Sequence, residues 1–406
     1  MAIPMHTRRS FVAMAAGGIA LAEGGFIGRW ARAELPRGTL DSEVRDTLPG
    51  KQPLIKRSYR PPNYESPAEF FDEVLTPNDK FFVRWHLANI PRIDVRTWRL
   101  NVGGEAAERG FDLSMDELKR DFEPAELVAV CQCAGNRRGL SAPHVAGVEW
   151  GSGAMGNARW KGARLKDILA RAGLKKDAVE IAFNGSDRAP LEGTPAFVKS
   201  LPAWKAMDEN TLVAYEMNGA ALPHWNGFPA RIVVPGWSAT YWMKQVAGIR
   251  ALSQPLASFW MNTAYRIPIG KFPIIDRFTS QESATTTPIT EILINSLITN
   301  LSAGQRFAAG QPLECKGIAW DAGYGIRGVE ISVDDGTTWQ RATLGESLGK
   351  YSFRTWQFTC PPRAAGRLSV MARASNTQGT VQPAELIFNG PGYHNNVVQK
   401  ITLDIV

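Results

Sequence analysis

The chain is poor in cysteine, with four in 406 residues, at positions 131, 133, 315 and 360. So sparse a set excludes a disulfide-stapled scaffold. No second Cys or His pair follows Cys131-Gln132-Cys133 at finger distance, which argues against structural zinc. The sequence has no C-x-x-C-H haem site, and no stretch of the mature chain approaches 18 uninterrupted apolar residues, so nothing reads as a bilayer-spanning helix. No run of five or six basic residues occurs, which argues against a nucleic-acid partner, and no fixed-period repeat or low-complexity tract is present. What is there is ordinary for a folded chain: 44% hydrophobic, 21% charged and 10% aromatic residues. That balance excludes disordered, collagen-like and coiled-coil classes, and the length predicts two or three domains at about 150 residues each. The net charge is +7, but the first 33 residues hold Arg8, Arg9, Arg29 and Arg32 against Glu23 alone, and without them it is +4. The remainder suits a small anionic substrate or an acidic partner, and equally plain solubility.

The front of the chain reads as an address. Thr7-Arg8-Arg9-Ser10-Phe11-Val12 precedes a modest apolar stretch over 13–22, and Ala31-Arg32-Ala33 places small residues where a signal peptidase cuts. Twin arginines before a weakly apolar segment resemble a bacterial twin-arginine export signal, predicting a mature chain from near Glu34 in the periplasm. That route carries folded proteins, often with a cofactor already loaded.

Residues 34–79, rich in Pro and Arg, read as an extended arm without periodicity. From 80 to 285 short strand-like runs (81–83, 127–130) alternate with helical stretches at 114–120 and 163–172. Ser114 and Glu117 form a capping-box pattern, and Gly173 is a plausible helix stop. A polar stretch at 279–290 reads as a linker. Beyond it, strand-like runs at 291–298, 313–318, 329–333, 351–358 and 368–372, with a hairpin turn at Asp334-Asp335-Gly336-Thr337, predict an immunoglobulin-like β-sandwich over 286–406. The expected class is α+β: an irregular mixed domain followed by that sandwich.

Cys315 and Cys360 fall on predicted strands of the sandwich, as either a disulfide or two buried thiols. Cys131 and Cys133 differ in character. They follow the apolar run 127–130 and lead into Ala134-Gly135-Asn136-Arg137-Arg138. A thiol at a strand end beside arginines and backbone amides is in surroundings that favour the thiolate, the metal-binding form; a buried strand cysteine beside a solvated Arg pair is the plainer alternative.

Four blocks in order carry a family resemblance. Cys133-Ala134-Gly135-Asn136-Arg137-Arg138 resembles the molybdenum-ligand loop of the sulfite oxidase family. Phe81-Phe82-Val83-Arg84-Trp85-His86 resembles its FFxRxH segment, and Tyr215-Glu216-Met217-Asn218-Gly219 and the segment 227–236 resemble its YEMNG and GFPxRxxxPG blocks. The segment 329–339 resembles part of the family's dimerisation domain. The resemblance implies one molybdenum carried by one molybdopterin, with Cys133 the single protein ligand and Cys131 a neighbour. It implies Arg84 and Arg138 as substrate-pocket arginines, suited to oxyanions by their forked geometry, with Tyr265 as the active-site tyrosine. His86, Arg231, Ser238 and Lys244 are implied to hold the pterin and its phosphate. Where animal members show a histidine before the GFP block this chain has Asn226, so either that amide or His224 takes the contact. His144 and His394 lie outside every motif and read as structural or exposed.

The implied reaction is oxidation of sulfite to sulfate. With no haem, flavin or nicotinamide module in the sequence, the electrons go to an external acceptor, expected to be a c-type cytochrome. A homodimer through the C-terminal domain is expected. Two alternatives stand beside this reading: a periplasmic molybdopterin-dependent methionine sulfoxide reductase, which lacks the C-terminal domain, and an exported binding protein that keeps the fold without the chemistry.

Overall fold

The computed structural model describes residues 43–272 and 278–406, and the expected signal at 1–33 lies outside the described residues. Among the described residues helices are few and short, the longest being Leu165–Ala172. Its apolar residues Leu165, Ile168, Leu169 and Ala172 face the core, and Gly173 ends it in the left-handed conformation. Met115–Arg120 is capped by Ser114, whose hydroxyl accepts from the Glu117 amide while Glu117 returns a carboxylate to the Ser114 amide. No helix among the described residues is long and apolar enough to cross a membrane.

Three sheets of four or more strands build the first domain, beside a two-stranded ribbon. One orders the strands Ala220–Ala221, Leu212–Met217, Met155–Arg164 and Pro124–Gln132, with Arg231–Val233 pairing Leu212–Met217. A second orders Val198–Pro202, Glu180–Gly185, Val246–Leu252, Leu100–Gly103 and Phe111–Leu113. Their inner faces share one aromatic-rich core that includes Trp98, Trp150, Trp160, Trp237 and Trp242.

The third sheet corrects the expectation of an arm without regular structure. Arg45–Asp46, Leu54–Ser58 and Asn63–Glu65 pair in turn, and the last takes Val83–Arg84 as its edge. Leu54 and Tyr64 are buried against Val83 and Trp85, so this segment is held by the sequence it flanks. Its prolines, at 49, 53, 61, 62 and 67, fall between strands of two to five residues, too short to show an alternation.

The C-terminal part is a two-sheet sandwich. Asn295–Ile298, Leu313–Trp320, Arg354–Cys360 and Thr343–Leu344 form one layer; Arg306–Phe307, Gln399–Ile405, Gly366–Asn376, Ile326–Ser332 and Gln340–Arg341 form the other. Leu313, Val329, Ile331, Trp356, Val370 and Leu403 fill the space between. Cys315 and Cys360 are both free and buried. Leu313 is the residue opposite Cys360, so the two thiols are diagonal neighbours, an offset of about 7–8 Å between Cα atoms that is too wide for a bridge.

Two boundaries differ from the sequence reading. The polar stretch at 279–290 is no free linker: Thr286–Pro288 pairs with Arg266–Pro268, and Thr287 and Ile289 are buried. Polar side chains there are spent on local hydrogen bonds, such as Arg266 Nε to Thr286 Oγ1 at 2.9 Å. The second difference is at the far end, where Tyr393 leaves the sandwich and enters the core of the first domain.

Candidate active site

Strand ends bring the site together. Pro124–Gln132 pairs with Met155–Arg164 until Gln132 faces Met155, and the chain then turns sharply. Cys133 N donates to Ala154 O, and Asn136 N returns to Cys133 O at 3.0 Å, leaving Cys133 on the wall of a cleft. Cys131, two residues back on the same strand face, lines the same cleft. Arg84 and His86 also stand two apart, at the edge of the N-terminal sheet, and both enter the cleft. Arg231, Lys244 and Tyr265 complete it with Thr240 and Asn226.

Six of the eight site residues expected from sequence thus meet in one cleft. Arg138 and Ser238 do not line it. The Arg138 Nε donates to Pro391 O at 2.8 Å and NH1 to Val148 O at 3.2 Å, with the guanidinium over the Tyr393 ring. Gly135, Gly147 and Gly392 crowd that side chain so closely that any Cβ there would strike it. Arg138 therefore stands behind Tyr265, near enough to act on its charge. Ser238 is buried, its amide donated to Thr290 O, and Thr240, two residues on, occupies the cleft in its place.

The centre is a hydrogen-bonded trio. Tyr265 Oη lies 2.5 Å from His86 Nε2 and 3.3 Å from Arg84 NH2. Arg84 also reaches the Cys133 thiol, and is braced by Asn63 Oδ1 and the Trp85 carbonyl. Tyr265 is held at φ 59°, a left-handed conformation that costs a non-glycine residue about 1–2 kcal/mol. His86 stacks on Phe197 with ring centroids 3.6 Å apart. Lys199 lies behind, fully buried, its ammonium 5.3 Å from the Tyr265 ring and bonded to Trp260 O.

The cleft is cationic and short of counter-charges. Burial holds His86 well below its ordinary range, and Arg84, Lys244 and Lys199 push it further. Burial and then Arg231 bring Lys244 down to about 7, with Asp187 opposing. Burial raises the Cys131 thiol despite Arg231 beside it, at 3.7 Å from NH2 to Sγ, so this cysteine does not become the thiolate its arginine-rich neighbourhood suggested. The Arg231 guanidinium lies 5.0 and 5.5 Å from the ring centroids of Trp160 and Trp242, which themselves meet edge to face.

Sequence reasoning missed Lys51. Its buried ammonium donates to Asn78 O, Phe81 O and Asn226 Oδ1, at 2.6, 2.9 and 2.6 Å. It orients Asn226, whose amide also bonds Phe82 O, so that Asn226 faces the cleft. His224 is outside the cleft, edge-on to Trp225. Of the two residues weighed for that contact, Asn226 lines the cleft and His224 does not. No local signal marks Lys51, because its partners lie 27 to 175 positions away. His144 pairs with Glu149 at 2.8 Å, and His394 is buried against Phe272.

The donor set fits a molybdenum carried by a pterin. Among the described residues no group of three His, Cys, Asp or Glu side chains is placed to hold a metal, so a lone thiolate needs its other ligands from an organic group. Arg231 Nε and Thr240 Oγ1 are buried without partners, beside Lys244, and they provide unspent donors and charge for an anionic pterin and phosphate.

Comparison with known proteins agrees. Residues 86–260 match the oxidoreductase molybdopterin binding domain family, and residues 286–405 the Mo-co oxidoreductase dimerisation domain family. Mitochondrial sulfite oxidase of Rattus norvegicus is 35% identical over 374 residues, covering 88% of this chain and 67% of that protein. Sulfite oxidase of Gallus gallus is 34% identical over 358 residues, covering 84% and 76%. The chain thus spans about two thirds of the rat enzyme's length. The crystal structure of sulfane dehydrogenase SoxCD from Paracoccus pantotrophus superposes with a TM-score of 0.74 at 22% identity, covering 95% of this chain and 96% of that one, a likeness of fold.

Proposed function

The chain belongs to the sulfite oxidase family of molybdopterin oxidoreductases, and on that premise we propose that it oxidises sulfite to sulfate. The balance is sulfite and water giving sulfate, two protons and two electrons, which leave singly to an external acceptor, a c-type cytochrome. The observation that carries the reading is the convergence of Cys133, Arg84 and Tyr265 on one cationic cleft.

When bound, molybdenum–molybdopterin supplies the two-electron and oxygen-transfer chemistry. Cys133 would hold the metal; Arg231, Lys244, Thr240 and Asn226 would hold the pterin and its phosphate. Arg84 holds the substrate oxyanion through its guanidinium, and Tyr265 presents a hydroxyl to an oxygen of the same anion. His86 stays neutral beside Arg84, so its Nε2 orients the Tyr265 hydroxyl without adding a charge that would change with pH. Trp260, Phe197 and Tyr265 pack around His86 and keep water from that side.

The dimerisation-domain match over 286–405 supports a homodimer, and the twin arginines Arg8-Arg9 support export to the periplasm. The test is product stoichiometry with molybdenum-loaded protein: one sulfate per two ferricyanides reduced supports the reading. Reduction of methionine sulfoxide by a low-potential donor, with no sulfate formed from sulfite, would overturn it.

A further inference from the structure

Tyr265 is held from one side by a residue of the C-terminal segment. Tyr393 lies on the irregular stretch between Gly366–Asn376 and Gln399–Ile405, and its ring stacks on that of Tyr265 with centroids 5.6 Å apart and planes 13° from parallel. The Tyr265 carbonyl, on its other side, takes the Ile289 amide at 2.8 Å. The left-handed backbone of Tyr265 is therefore fixed at its carbonyl and across its ring.

Tyr393 is itself immobilised. The Asn389 side chain accepts from the Tyr393 amide at 3.0 Å and donates to the Tyr393 carbonyl at 2.8 Å. Arg138 covers the Tyr393 ring at 5.2 Å and is tied by Nε to Pro391 O, within the same segment. Next door, Arg137 donates to Asn295 Oδ1 and Val397 O, and Asn395 returns its amide to Arg137 O. Both arginines that follow the Cys133 turn are thus committed to the segment that carries Tyr393. One rigid unit sets the metal-ligand loop and the tyrosine hydroxyl against each other.

We infer that Tyr393 is a positioning residue for the oxidation: it holds Tyr265 so that the hydroxyl sits between His86 and Arg84. The inference rests on the proposed function, since it assigns Tyr265 a part in the reaction. Tyr393 does not line the cleft and touches no reacting atom; it acts through Tyr265.

The test is a double-mutant cycle in the molybdenum-loaded protein, with metal content measured for every variant. Tyr393→Leu should lower sulfite kcat about tenfold or more, because small misplacement of a reacting group is costly. Tyr393→Phe, which keeps the stack and loses only the hydroxyl, should recover most of that loss. In a Tyr265→Phe background, Tyr393→Leu should cost nothing further. An equal loss in both backgrounds would mean a general packing role and would overturn the inference. A second readout is independent of turnover. In cofactor-free protein, tyrosine-selective NMR, assigned with Tyr265→Phe, should show the Tyr265 ring resonance losing its stacking shift in Tyr393→Leu. An unmoved resonance would overturn the inference even if Tyr393→Leu were too unstable for kinetics. Wild-type protein that carries molybdenum yet fails to oxidise sulfite would instead sink the proposed function, and the NMR result would still decide whether Tyr393 positions Tyr265.

Discussion

Tyr265 Oη lies 2.5 Å from His86 Nε2, in a pocket where burial first, and then Arg84, Lys244 and Lys199, hold that histidine well below its ordinary range. The pair makes the tyrosine hydroxyl an oriented, uncharged hydrogen-bonding group beside the Arg84 fork. Tyr265→Phe should therefore lower sulfite kcat/KM by about 10²-fold, the usual loss of one preorganised donor. Steady-state kinetics check it. Because burial and cations hold His86 far below its ordinary value, the acid side of the pH profile should not carry a step near 6.5 from this histidine, and His86→Gln should leave that side's shape unchanged.

Lys244 titrates at about 7, lowered by burial and by Arg231. It carries its charge below that pH and loses it above. Cofactor-free protein should consequently bind inorganic pyrophosphate more tightly at low pH, with affinity falling about tenfold per unit above 7 if this one proton is linked. Calorimetry across that range measures it. Lys244→Met should bind weakly at low pH and show a flatter dependence.

His394 is held down to about 3 by burial, and its Nε2 has no hydrogen-bond partner. The unfolded chain takes up a proton as pH falls below about 6.5, the ordinary histidine value, whereas the folded chain does so only near 3. Stability from this group is thus complete above about 6.5 and is lost progressively as pH falls toward 3. His394→Phe should give a shallower decline of the denaturant midpoint between about pH 6 and pH 4 than the wild type.

Cys131 and Cys133 line the same cleft, but only Cys131 is faced by Arg231, and burial keeps its thiol protonated. Cys133→Ser should abolish molybdenum retention, while Cys131→Ser should keep about one metal per chain. Elemental analysis of both proteins distinguishes the two sulfurs.

What could be seen in the sequence was what is local. The Cys133 turn, the alternating Arg84 and His86, and the spacing of Arg231 and Lys244 all lie within short motifs, and all meet in the cleft. The capping box at Ser114 and Glu117 and five strands of the sandwich were legible for the same reason, while Gln399–Ile405 and the two-residue edge strands were not. Contacts across the chain were not. Lys51 reaches Asn226 over 175 positions and Arg138 reaches Pro391 over 253, so no window of sequence reports either. The motif placed Arg138 correctly next to Cys133 but carried no sign that the C-terminal segment would take its guanidinium. Ser238 and Thr240 differ only in which hydroxyl a short helical turn, Ala239–Tyr241, directs into the cleft.

The central claim is that this cleft oxidises sulfite with Cys133 as its one protein thiolate. The most direct test is sulfite-dependent reduction of ferricyanide and of a c-type cytochrome by the purified, molybdenum-loaded protein, beside Cys133→Ser. Turnover in the wild type that vanishes in the variant is the predicted result. A wild-type protein carrying one molybdenum per chain that reduces neither acceptor with sulfite would contradict it.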